Sequence, residues 1–287
     1  MNDVSELINL LNLEQIEDNL FRGQSSSIGS PRVFGGQVLA QALQAAIRTV
    51  PPDRTAHSLH AYFILPGKLD RPIIYEVEHT RDGGSFTTRR IKAIQNGRPI
   101  FNMSASFQLD QEGYEHQIAM PNVPQPDHLP SREEISEKNQ EGWPEHFKNF
   151  YNIARPIDFR PVEYFDPINP GKRPPHRQVW MKSKGEMPDA FGLHLCVLAY
   201  ASDYNLLGTA ILPHGDVANF ANVQMASLDH AMWFHRRFRM DEWLLYDLDS
   251  PSTSNARGLC RGNIFTQSGH LVASVVQEGL IRPFQSR

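Results

Sequence analysis

The sequence predicts an α+β protein made of two halves of the same kind, each a helix packed on an antiparallel sheet. Two observations carry this. Each half reads as one apolar helix followed by four strand-like segments. Landmarks also recur at a spacing of roughly 170 residues, a period that means duplicated domains rather than a solenoid. His60-Ala61 returns as His230-Ala231, Tyr75 as Tyr246, and Gly97 as Gly269.

The elements follow in order. Asp3 can cap an opening helix, with Glu6 three residues on and Leu7, Ile8, Leu10 and Leu11 as its apolar face. A second helix begins after Gly35-Gly36, runs to Ile47 on alanine and leucine, and stops before Pro51-Pro52. Strands are expected at 58–65, 73–78, 86–95 and 100–109, with Asn96-Gly97 as a hairpin turn between the last two. Residues 121–130 carry four prolines and 131–139 are charged, which reads as a linker with a short exposed helix.

The pattern then returns. Strands are expected at 158–165 and 177–184, an apolar helix at 191–207, and strands at 227–234, 243–248, 256–266 and 271–280. Ser268-Gly269 takes the place of Asn96-Gly97. The expected division is one domain at 1–115, a linker at 116–150 and a second domain at 151–287.

Composition narrows the function. Of 287 residues 40% are hydrophobic and 21% charged, which excludes extended disorder. A net charge of −4 leaves no basic excess for the phosphates of a nucleic acid. Cys196 and Cys260 form no C-x-x-C pair, so reduced thiols are expected. The first residues lack the pattern of a signal peptide. No apolar run approaches the ~20 residues of a membrane span. The chain ends Gln285-Ser286-Arg287 rather than in the S-K-L address. The expected location is cytoplasmic.

Several segments carry a resemblance: Phe34-Gly-Gly-Gln-Val38, His57-Ser-Leu-His-Ala-Tyr-Phe63, His176-Arg-Gln-Val-Trp180, Ala201-Ser-Asp-Tyr-Asn205, Leu228-Asp-His-Ala-Met-Trp-Phe-His235 and Val275-Val-Gln-Glu-Gly279. Together they resemble the acyl-CoA thioesterase II family over nearly the whole chain. The resemblance implies a tandem double hotdog, each half a central helix wrapped by a curved antiparallel sheet. It implies hydrolysis of fatty acyl-CoA by an activated water, an acyl-CoA substrate, and association as a dimer or tetramer. It implies no cofactor and no metal. Carried over by position, it makes Asp203 the acid, Ser227 the hydroxyl residue and Gln277 the amide that hold the water. Many family members have threonine where Ser227 stands.

The residues read alone leave more open. Asp203 sits near the end of an apolar helix, as a helix-terminal polar residue or as a general base. Ser227 opens a strand, where serine ordinarily bonds backbone. Gln277 interrupts an apolar run and needs a hydrogen-bond partner if buried. The helix after Gly35-Gly36 offers free N–H groups to a developing oxyanion, or is a plain tight turn. His57, His60, His230 and His235 are spaced to face opposite sides of a strand, which argues against a metal. His235-Arg-Arg-Phe-Arg239 is either a site for coenzyme A phosphates or a solvated loop. No G-x-S-x-G elbow, P-loop, G-x-G-x-x-G or H-E-x-x-H is present.

Two rival readings remain. A hotdog enoyl-CoA hydratase carries a motif resembling Asp-x-Asn-Pro-x-His; this chain keeps Asp203 and Asn205 and has Gly208 in place of the histidine. A non-catalytic acyl-CoA-binding regulator would lack the three polar residues, and here all three positions are filled.

Overall fold

The computed structural model describes residues 1–284, apart from the side chains of His146 and Phe150; the C-terminal tripeptide used in the targeting expectation lies outside them. Asp3 caps α1 (Val4–Leu11), its carboxylate accepting from the N–H groups of Ser5 and Glu6. Leu7 and Leu11 fall on one face and are fully buried. A hairpin of β1 (Glu14–Glu17) and β2 (Leu20–Gly23) follows. The sequence pattern misses it, because four residues give too short a run for a period-two signal and β1 is exposed throughout.

Next come α2 (Gly35–Ile47), β3 (Arg54–Phe63), β4 (Ile73–Asp82), β5 (Phe86–Gln95) and β6 (Arg98–Leu109). Asn96 and Gly97 both take positive φ (54° and 70°), the two-residue turn that the pair predicts. The connecting stretch holds a 3₁₀ turn at Pro126–His128, α3 (Arg132–Asn139) and α4 (Glu145–Asn152). Trp180 donates its ring N–H to the Pro124 carbonyl at 2.9 Å, and Met120, Val123 and Leu129 pack on Trp180, Trp243, Leu245 and Phe265. The stretch is thus strapped over the second half.

That half contains β7 (Ile157–Pro161), β8 (His176–Ser183), α5 (Phe191–Ser202), a 3₁₀ helix at Leu207–His214, β9 (Val223–Ser227), β10 (Asp229–Phe234), β11 (Leu244–Ser254), β12 (Arg257–Thr266) and β13 (Leu271–Pro283). The helix expected at 191–207 breaks earlier, where Asn205 takes φ 66°. By length and composition alone the run Phe191–His214 is long and apolar enough to cross a membrane, a correction to the sequence reading; most of it is buried inside the protein.

The sheet order is β1-β2-β4-β5-β6-β3-β10-β13-β12-β11-β8-β7, with β9 pairing on β13. The second half repeats the first in reverse, so a local two-fold passes between β3 and β10. α2 and α5 pack antiparallel against each other: Gly36 meets the end of α5 at Tyr200, and Gly192 meets the end of α2 at Ile47.

The seam corrects one repeat. His230 lies opposite Ala61, and Ala231 opposite His60. Residues directly opposite share a face, and His230 is buried while His60 is exposed. The two His-Ala pairs are therefore one residue out of step, which reverses their faces. Tyr75 and Tyr246 are true equivalents. Both are fully buried, and each hydroxyl bonds to the central helix of its half: Tyr75 to Gln41 Oε1 at 2.7 Å, Tyr246 to the Ser202 carbonyl at 3.1 Å.

Candidate active site

Asp203, Ser227 and Gln277 come together. Asp203 is the residue that ends α5. Its Oδ1 accepts from Gln277 Nε2 at 2.8 Å and from Ser227 Oγ at 3.4 Å, and its Oδ2 accepts from the Gly36 N–H at 2.8 Å. Gln277 Nε2 also donates to Ser227 Oγ at 2.8 Å. One amide group therefore fixes both the acid and the hydroxyl. A flipped amide would set oxygen against oxygen, so the hydrogen-bond network decides this orientation.

Ser227 is aimed by an irregular strand. It closes β9 rather than opening a strand as the sequence suggests. β9 and β10 are separated at Leu228, where the Leu228 N–H donates to Glu278 O and the Leu228 carbonyl accepts from Phe63. Breaks of this kind re-aim side chains beside functional sites. Gln277 sits inside β13 with no exposed surface. Its Oε1 is buried without a hydrogen-bond partner among the described residues.

A cleft of about 610 Å³ opens over this cluster. Asp203, Ser227 and Gly35 line it, Gln277 does not, and Phe34, Phe63 and Phe101 supply an apolar wall. The N-terminus of α2 points at Asp203 and its dipole favours negative charge there. No side chain caps that helix. The Gly36 N–H is committed to Asp203, which removes it from the oxyanion role that the sequence suggested. The Gly35 N–H has no hydrogen-bond partner among the described residues.

Beside the cluster lies a histidine that the sequence reading weighed only as a metal ligand. His230 is fully buried, and its Nε2 lies 3.0 Å from Ser202 Oγ. Burial pushes it down to about 4, against the opposing pull of Asp203, so the ring is neutral at pH 7. Among the described residues no three His, Cys, Asp or Glu side chains could hold a metal.

The local two-fold generates a second position that is closed. The pair Ser227–Gly279 corresponds to Ala56–Phe107, and Cys260–Gln277 to Arg89–Ala105. Alanines thus replace the hydroxyl and the amide. Arg89, 1% exposed, bonds the Thr49 carbonyl at 2.9 Å and Asp82 at 2.7 Å, filling the end of α2.

The arginines at 236, 237 and 239 do not line the cleft. They pair with Glu115, Asp110, and Asp189 with Asp241, respectively. Four arginines that sequence reasoning missed do line it: Arg32, Arg132, Arg155 and Arg177. They come from separate segments with no common spacing; Arg177 falls within the segment His176-Arg-Gln-Val-Trp180 that carries the resemblance, but nothing in the sequence joins it to the others.

Two family models match this sequence, one described as acyl-CoA thioesterase over residues 149–280 and one as acyl-CoA thioesterase N-terminal domain over residues 21–108. The chain is 41% identical to acyl-CoA thioesterase 2 of Haemophilus influenzae, over 98% of this chain and 99% of that one. It is 40% identical to acyl-coenzyme A thioesterase 8 of Homo sapiens, over 95% of this chain and 88% of that one. The crystal structure of an acyl-CoA thioesterase II from Mycobacterium marinum matches with a TM-score of 0.78 at 46% identity, covering 96% of this chain and 97% of that one. A protein from Alicyclobacillus acidocaldarius described as having a hot dog fold matches with a TM-score of 0.76 over 96% of this chain and 98% of that one; at 18% identity this shows the fold alone.

Proposed function

The chain belongs to the acyl-CoA thioesterase family, is a double hotdog and acts as an acyl-CoA thioester hydrolase; from that premise we propose that it hydrolyses fatty acyl-CoA through a water held by Asp203 and Ser227, with Gln277 positioning both. The observation that carries this is the shared amide of Gln277, which locks Asp203 and Ser227 together at the base of the cleft. Asp203 and Ser227 face the water, and Gln277 positions both.

The chemistry then follows from the geometry. The water oxygen attacks the thioester carbonyl carbon while an Asp203 oxygen takes its proton. Negative charge moves to the carbonyl oxygen, where the free Gly35 N–H at the start of α2 is the donor. Collapse breaks the C–S bond, and the proton on Asp203 passes to the departing sulfur. The products are a free acid and coenzyme A thiol, with atoms balanced and no covalent enzyme intermediate. The apolar wall suits an acyl chain. Gly208 carries no side chain to supply the second proton-handling group that hydration needs, which disfavours hydratase chemistry there.

We extend the reading to organisation. The matched segments 21–108 and 149–280 support domains at 1–115 and 151–287 joined by 116–150. Tyr62, 63% exposed, and the edge-to-face pair of His60 and Trp233 on the outer sheet face support association as a dimer or tetramer. Buried free thiols at Cys196 and Cys260 suit a reducing, cytoplasmic location.

The test is thiol release from a ladder of acyl-CoA chain lengths without added metal, beside a hydration assay on an enoyl-CoA. The reading expects thiol release and no hydration. Hydration without thiol release overturns it.

A further inference from the structure

The charged side chains lining the cleft are Arg32, Arg132, Arg155 and Arg177 against Asp203 and Glu163. Cations are in excess there, although the chain as a whole carries −4. Arg132 comes from the start of α3, Arg155 from the segment between α4 and β7, and Arg177 from β8. Each lies over an aromatic ring: Arg132 at 4.0 Å from the centre of Tyr151, Arg155 at 4.8 Å from Tyr204, and Arg177 at 5.0 Å from Phe165. Stacking holds a guanidinium plane in place, and at Arg177 it leaves the buried Nε–H for a ligand.

The nearby carboxylates are engaged elsewhere. Glu163 pairs with Arg173 at 2.5 Å, Glu133 with Lys184 at 2.6 Å, and Asp166 accepts from the Trp143 ring N–H at 3.0 Å. Among the described residues neither Arg132 nor Arg177 has a carboxylate within ion-pairing distance, and Arg177 Nε is buried without a hydrogen-bond partner. Burial lowers both guanidiniums to about 10, with like-charge repulsion from Arg155 adding to the effect at Arg132. Both remain cationic at pH 7. Holding Arg132 and Arg177 out of water with no carboxylate at ion-pairing distance is costly, and an incoming anion lowers that cost.

We propose that Arg132, Arg155 and Arg177 form an anion subsite of the cleft that takes a negatively charged oxygen group of the substrate. That group is a phosphate of coenzyme A or a carboxylate ending the acyl chain; the guanidinium fork matches either bidentately. The inference rests on the thioesterase reading and adds the part of the substrate that these residues grip.

The experiment compares wild type, Arg177→Gln and Arg177→Lys on three thioesters. These are an acyl-CoA, the same acyl group on pantetheine, which lacks phosphates, and an ω-carboxyacyl pantetheine. If phosphate is the ligand, Arg177→Gln lowers the kcat/KM ratio of acyl-CoA over acyl-pantetheine about tenfold, the value of one charge-assisted hydrogen bond. If carboxylate is the ligand, the ratio of ω-carboxyacyl over plain acyl-pantetheine falls instead. Arg177→Lys, which keeps the charge, restores part of either ratio. Unchanged ratios on every substrate overturn the subsite. Calorimetric titration of wild type and Arg177→Gln with coenzyme A and with a free dicarboxylate reads the subsite without turnover. A wild type that cleaves no thioester yet loses anion binding on Arg177→Gln defeats the thioesterase reading alone.

Discussion

The backbone N–H of Gly36 donates to Oδ2 of Asp203 at 2.8 Å across 167 positions of sequence, from the first half of the chain to the second. A carboxylate at the C-terminal end of its own helix faces an unfavourable dipole. The N-terminus of α2 supplies the opposite sign. Asp203 is therefore seated by both halves at once.

Replacing Asp203 by Asn keeps the shape of the side chain and removes its ability to take a proton. Steady-state kinetics of Asp203→Asn on an acyl-CoA should show kcat lower by about 10² to 10⁴, the usual worth of a general base. A kcat close to wild type removes Asp203 from the proton transfer.

The two glycines before α2 should separate activity from stability. A methyl on Gly35 would lie 2.7 Å from Asp203 Oδ2, the tip of a side chain. A methyl on Gly36 would lie 2.4 Å from the Tyr200 carbonyl, which is backbone and cannot swing away. Gly35→Ala is expected to lose activity with little change in Tm. Gly36→Ala is expected to lower Tm by roughly 2–10 °C, from about 1–3 kcal/mol of overpacking. Kinetics run beside thermal melts check this, and a Gly35→Ala variant with wild-type kcat would show that the helix start does not seat Asp203.

Ser227 supplies a hydroxyl, and its missing methyl should matter little. Ser227→Thr keeps the oxygen that accepts from Gln277, and activity within about tenfold of wild type is expected. Ser227→Ala leaves one Gln277 N–H unpaired and the water short of a partner, a loss of about 1–3 kcal/mol or roughly 5- to 150-fold in rate. The ranking is the readout: an alanine variant equal to wild type would reduce Ser227 to a structural serine.

His230 should make stability depend on pH. Its folded value is held near 4 by burial, below the unfolded value near 6.5. Between these values the unfolded chain binds a proton that the folded chain refuses, so stability falls as pH drops through that window and is complete above it. The slope from this group is at most about 1.4 kcal/mol per pH unit. Denaturant melts from pH 7 to pH 4 should show a shallower slope for His230→Gln than for wild type; equal slopes would assign the acid sensitivity to other groups.

Much of this was legible in the sequence for physical reasons. The Ala- and Leu-rich segment after Gly35-Gly36 had to be a core helix, and Asn96-Gly97 had to turn. The family resemblance picked out Asp203, Ser227 and Gln277, which the fold brings within hydrogen-bonding distance. The rest needed three dimensions. Nothing local to Gly36 names a partner 167 residues away. The strand expected at 227–234 runs straight through Leu228, where the fold instead breaks the strand and turns Ser227 into the cleft. The His-Ala repeat misled because letters recur without regard to which face a pleat presents.

The closed position at Arg89 has a consequence for how such a molecule can evolve. When two identical chains assemble, every substitution is made twice, and both sites must survive it. With both copies on one chain, each can change alone. Here one copy holds an arginine that ties the end of α2 to β5, while the other holds the acid, the hydroxyl and the amide. A single chain should therefore be titrated by one equivalent of a tight transition-state mimic, not two.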